Sequence, residues 1–158
     1  MKKLIIAIVA IIAIGTSSAY AQKSIGVRFG GGNLVGGEIS FQTNLGSNRV
    51  ELDLGGNFGE YSTYLSIAGI YQWHNNIVGG LNWYIGPGVA AGIYMSDIVG
   101  YAGATVAVGG QVGIEYNFSS LNVPLIISFD TRPMINLYRP DSYDSFGWSV
   151  CGSIRYLF

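Results

Sequence analysis

Charge is scarce in this chain. Eight Lys and Arg with nine Asp and Glu make only 11% of its 158 residues charged, about half of what a soluble domain carries. With so little solvating charge, the chain reads neither as a disordered protein nor as a coiled coil nor as an ordinary cytosolic enzyme. A single Cys excludes a disulfide framework and a thiolate metal cluster, and a single His excludes multi-histidine metal sites. A net charge of −1 provides no basic field for nucleic acid. No cofactor or metal is expected. Nor does any apolar run after Ala21 approach the roughly 20 residues of a membrane helix. Yet 49% of the residues are hydrophobic, and 24 glycines and 11 tyrosines stand among them. The apolar content must therefore lie in a pattern.

The first segment has the layout of an export signal. Met1, Lys2 and Lys3 are a basic start, Leu4 to Ile14 is apolar, and Ala19-Tyr20-Ala21 is an A-x-A cleavage site. Residues 1–21 are expected to be removed, which leaves residues 22–158 mildly acidic and destined for the envelope of a Gram-negative bacterium.

Beyond Ala21 the period is two. Ile25, Val27 and Phe29 alternate with Gly26 and Arg28; Val50, Leu52 and Leu54 alternate with Arg49, Glu51 and Asp53. Six further stripes follow, and the last runs through Phe146, Trp148, Val150, Ile154, Tyr156 and Phe158. Turn chemistry separates them at Gly46-Ser47-Asn48, His74-Asn75-Asn76, Ser119 to Asn122 and Arg139 to Ser142. The reading is all-β: a single eight-stranded antiparallel up-and-down transmembrane barrel.

Alternation alone does not say which face points inward. Here glycines crowd the polar face beside the charges, as a narrow interior filled by a few long side chains requires. The apolar stripes are aliphatic in mid-strand and aromatic near the ends. Tyr71, Trp73, Trp83, Tyr116, Phe118, Tyr156 and Phe158 are therefore expected to form a girdle at the periplasmic lipid–water interface. The apolar face is assigned to lipid.

The C-terminal third carries a resemblance. Gly113 to Phe118, Pro124 to Asp130 with Arg132-Pro133, and Gly152 to Phe158 resemble small outer-membrane β-barrel proteins of Bacteroidetes, and the strand layout is similar to that of the OmpA and OmpX barrels. The resemblance implies fold and compartment and implies no activity. The ending through Tyr156 and Phe158 also resembles the C-terminal signal read by the barrel-assembly machinery.

The polar face places Arg28, Arg49, Arg132 and Arg155 with Glu38, Glu51, Asp53, Glu115 and Asp130. They form either the lining of a narrow channel or a plug of mutually paired charges. The near cancellation of sign and the narrow bore favour the plug. Cys151 is expected to be a small filler facing the lumen. His74, taken as a turn residue, would lie a full membrane thickness from Asp97, Asp141 and Ser142, which speaks against the His-based chemistry of lipid-modifying barrel enzymes. Gly30 to Asn33 lacks the Lys and helix of a phosphate loop and reads as a hairpin. The function expected is non-enzymatic: a monomeric structural or surface-contact barrel in contact with outer-membrane lipid, with no ligand identifiable.

Overall fold

The computed structural model describes residues 22–32, 36–60, 62–96, 101–140 and 144–158. Residues 1–21, and with them the expected export signal, lie outside the described residues, as do Asn33, Asp97, Asp141 and Ser142. Eight strands run in chain order: β1 (Lys23–Gly32), β2 (Gly37–Leu45), β3 (Asn48–Phe58), β4 (Ser62–Val78), β5 (Leu81–Ser96), β6 (Tyr101–Asn117), β7 (Leu125–Tyr138) and β8 (Phe146–Leu157). Each pairs antiparallel with its sequence neighbours, and β1 pairs with β8 to close the barrel. Reciprocal backbone bonds between Lys23 and Phe158 (3.2 and 2.9 Å) bring the start of β1 and the end of β8 to one rim. We refer to this as the terminal rim, and to the opposite end as the loop rim.

The expected alternation is present with a definite sense. Phe29, Ile67, Trp73, Val89, Ile127 and Ile154 are exposed, while Arg28, Glu51, Gln72, Gln111, Asp130 and Arg155 are buried. A water-soluble barrel has the opposite arrangement. Phe41 departs from the pattern, being buried at 9% exposure.

Tight connections at the terminal rim set the register. Gly46 (φ 66°) turns β2 into β3 and Gly79 (φ 55°) turns β4 into β5, both in the left-handed region that glycine adopts without steric cost. A single 3-10 turn, Phe118–Leu121, joins β6 to β7 and ends at Asn122 in the left-handed conformation. Two sequence expectations are corrected here. His74-Asn75-Asn76 is not a turn: it continues β4, and the reversal falls at Gly79-Gly80. The Asn76 amide donates to the Gly79 carbonyl at 2.8 Å and so braces that reversal. By alternation the seventh stripe runs from Val123 through Leu125, Ile127 and Phe129, yet Val123 precedes β7, and Pro124, which has no N–H for the ladder, stands between them.

Strand lengths are also uneven. β4, β5 and β6 have 17, 16 and 17 residues against 9 to 11 in β1 to β3, so one wall stands taller than the other. Glycines on the inner face make room for large side chains. A Cβ on Gly113 would come within 2.6 Å of the Tyr84 ring, and one on Gly92 within 2.8 Å of the Tyr64 ring.

Candidate functional site

The interior is the site that the fold builds. All nine charged residues expected on the polar face are buried in the lumen, and the structure brings them into contact. Arg28 on β1 forks onto Asp130 on β7, through Nη2 to Oδ1 and Nε to Oδ2 (3.3 Å), and donates to Glu38 Oε2 at 2.7 Å. Arg132 on β7 reaches across the lumen to β3, where it donates to Glu51 Oε1 at 3.0 Å and to Asp53 Oδ2. Arg155 on β8 donates to Glu51 Oε2 at 3.0 Å, Ser40 Oγ at 3.0 Å and Ser128 Oγ at 2.9 Å. Nearer the terminal rim, Arg49 donates to Glu115 Oε2 at 2.8 Å.

Glu51 is the hub. Its two oxygens accept from Arg132, Arg155, Gln42, Gln72 and Gln111, which come from five different strands. A carboxylate taken wholly out of water needs this many donors, because an unpaired charge in such a place is expensive. Sequence reading missed the neutral members: Gln42, Gln72, Gln111 and Tyr84, whose hydroxyl donates to Asp130 at 3.3 Å. Their only signal was parity on the inward face.

His74 belongs to this interior as well. Its ring stacks on Tyr84 with centroids 5.1 Å apart, Nε2 lies 3.1 Å from Gln72 Oε1, and Nδ1 lies 3.7 Å from Glu115. No Ser or Thr hydroxyl bonds to it among the described residues, and the arrangement is that of a packed polar core rather than a nucleophile with its base. Cys151 is buried and faces inward as expected. Among the described residues no group of three or more His, Cys, Asp or Glu side chains is placed to hold a metal ion.

The outward face is ordered by height. Tyr71, Trp73, Trp83, Tyr116, Tyr156 and Phe158 all lie towards the terminal rim. Tyr71 packs edge-on to Trp73 at 5.7 Å and Tyr116 on Phe118 at 4.6 Å. Phe118 itself sits in the 3-10 turn just past β6. A second aromatic set that sequence reading did not separate out lies towards the loop rim: Phe29, Phe58, Tyr138, Phe146 and Trp148, all exposed. Val89, Val108 and Ile93 are among the exposed aliphatic residues of the tall wall between the rims.

Glu51→Ala would leave Arg132 and Arg155 short of a counter-charge and the Gln42 and Gln111 amides without their acceptor, while Gln72 would keep only Gln111 Oε1. Removing one partner of a buried ion pair costs roughly 3–5 kcal/mol. The variant is expected to lose about that much stability in a urea titration of the detergent-refolded protein. A loss no larger than that of an exposed-site control would show that the hub is dispensable.

No protein-family model matches the chain, and no curated protein does. Solved structures do. The fold is similar to that of Neisserial surface protein A (NspA), with a TM-score of 0.62 and 12% identity over 87% of this chain and 96% of that one. It is also similar to Ail, the attachment invasion locus protein of Yersinia pestis, with a TM-score of 0.54 and 12% identity over 87% of this chain and 97% of that one. Ail in complex with the heparin analogue sucrose octasulfate matches at a TM-score of 0.52, with the same identity and coverage. Both proteins are small eight-stranded outer-membrane barrels. At this identity the likeness establishes the fold: a closed, eight-stranded, all-antiparallel β-barrel.

Proposed function

We propose that the chain is a non-enzymatic integral outer-membrane barrel with a plugged interior, acting as a structural or surface-contact protein of a Gram-negative, Bacteroidetes-type envelope. The observation that carries this reading is the inverted burial. Arg28 is 0% exposed while Ile127 is 45% exposed and Val89 60%. Water would penalise the apolar face and hydrocarbon would reward it. The two aromatic sets would sit at the two interfaces, with the terminal rim in the periplasm. A closed sheet leaves no unpaired edge in lipid, so the barrel can span the membrane as a monomer.

The charge network supports a plug over a channel. Arg132 and Arg155 reach from β7 and β8 to Glu51 on β3, across the middle of the bore. Function would then fall to the outside of the barrel and its loop rim. The similar structures are those of a surface protein and an attachment protein, which supports a contact role there. At the other end, Tyr156 and Phe158 close β8 on its exposed side and would be read by the assembly machinery through main-chain pairing and alternate side-chain pockets.

Three outcomes are expected. In planar bilayers the purified protein gives no steady conductance; a stable ohmic current would overturn the plug in favour of a narrow channel. Val89→Arg, in the middle of the outward face of β5, costs about 2–4 kcal/mol of folding stability in lipid vesicles, while Asn75→Arg near the terminal rim costs about 0–1 kcal/mol. Equal costs would remove the membrane assignment. Deleting Phe158 leaves refolding in detergent intact but strands the protein in the periplasm in a protease-sensitive form, whereas normal outer-membrane levels would reduce Phe158 to an interfacial anchor.

A further inference from the structure

The outward wall is not filled evenly. Across β6, β7, β8 and β1 it carries an open groove of about 540 Å³. The groove is a valley between two rows of cross-strand neighbours. Tyr116, Ile127 and Ile154 form the row nearer the terminal rim, and Phe129, Gly152 and Phe29 form the row above it. Between the rows the floor is the backbone of Glu115, Ser128 and Ser153, whose side chains turn into the lumen and are buried. The groove therefore offers no polar side chain beyond the Tyr116 hydroxyl at its lower end.

Gly152 leaves a gap in the upper row. Phe29 and Phe129 flank it at 60% and 58% exposure, two strand spacings or about 9.5 Å apart. A sheet can fill such a gap by laying an aromatic ring over the glycine. Phe29 does this for Gly37, its other cross-strand partner, where a Cβ would lie 3.5 Å from the ring. It does not do so for Gly152. A Cβ on Gly152 would meet no side chain within 4 Å, only the Ser128 carbonyl at 3.9 Å. The slot is thus open outward, and its lining atoms forfeit dispersion contacts until something fills it.

Depth, width and chemistry select the occupant. Six residues separate Gly152 from Phe158 at the terminal rim, about 20 Å along the strand and about 15 Å along the axis of a barrel whose strands tilt by about 40°. That is half of a hydrocarbon layer of roughly 30 Å, the reach of an acyl chain in one leaflet. The gap between the two rings has the width of a single unbranched chain. At the girdle the Tyr116 hydroxyl suits the headgroup end of such a molecule. A second barrel would approach with a convex wall of branched and aromatic side chains such as Ile127, Ile154 and Trp148, too broad to reach the floor of a slot one glycine wide.

We infer that this slot is a seat for one acyl chain of a phospholipid in the leaflet on the terminal-rim side, held over Gly152 between Phe29 and Phe129. The chain enters past Tyr116 at the interface, follows the valley and crosses the upper row at Gly152. A straight saturated chain fits, and a chain too short to reach mid-depth does not. The seat rests on the membrane reading of the outward face.

The test is native mass spectrometry of the folded protein, released from detergent micelles that contain phosphatidylethanolamine with two saturated sixteen-carbon chains. The unaltered protein should retain one lipid per chain, and Gly152→Leu, which fills the slot, should lower that retention at least about tenfold. Gly69→Leu, at an outward glycine already covered by Leu52 at 3.6 Å, should leave it unchanged. Phosphatidylethanolamine with six-carbon chains should not be retained. No lipid on the unaltered protein, or equal retention by Gly152→Leu, would overturn the seat. Equal retention of long and short chains by the unaltered protein would do so even if Gly152→Leu fails to fold. A protein dimer that Gly152→Leu splits would overturn it in favour of a second copy. A protein that inserts into vesicles but retains no lipid loses the seat alone, whereas one that does not insert loses the membrane reading as well.

Discussion

A carboxylate without water is the constraint on which this structure depends. Glu51 is fully buried, and only the closed barrel gives it enough donors, since they arrive from β2, β4, β6, β7 and β8. Nothing local to β3 could supply them. Closure and charge burial are therefore one event: the sheet must close to bring Arg132 and Arg155 to Glu51, and without them the closed sheet would trap a bare charge. The network also pins the register. Slipping a strand by one residue would turn its inward polar side chains outward and its Ile or Val inward, so β2, β4, β6, β7 and β8 are each tested against the hub.

Such networks give specificity more than stability, because desolvation consumes most of what the ion pairs return. The bulk of the stabilisation comes instead from a continuous ladder of backbone bonds with no edge, together with an outward apolar face wherever that face meets hydrocarbon. The side chains inside decide which barrel forms, and the solvent outside decides that it persists.

The interior is itself divided. Ile70 and Ala107 on the tall wall and Met134 on β7 form a small apolar cluster inside the barrel. Tyr84 over Gly113 and Tyr64 over Gly92 show how the bore is filled by pairing a large side chain with none.

Much of this was legible from residue order. Period-two stripes marked eight strands, and the aromatics of the terminal rim were visible as ends of stripes. Arg28, Glu38, Arg49, Glu51, Asp53, Glu115, Asp130, Arg132 and Arg155 shared one face by parity alone. Turn chemistry was less reliable: Asn75-Asn76 looked like a reversal, yet Gly79, which tolerates a positive φ, took it, and His74 moved from a turn into the core. What the sequence could not determine is height. Parity states which side of the sheet a residue occupies, but the stagger of strands around a closed barrel sets which residues meet across it. Arg28 and Asp130 are 102 positions apart and become a bidentate pair only after β1 has found β8. The sequence by itself determined the elements and their faces, because those follow from local sterics and alternation. Only the tertiary structure decided the partners, because a contact across a lumen depends on every register around it.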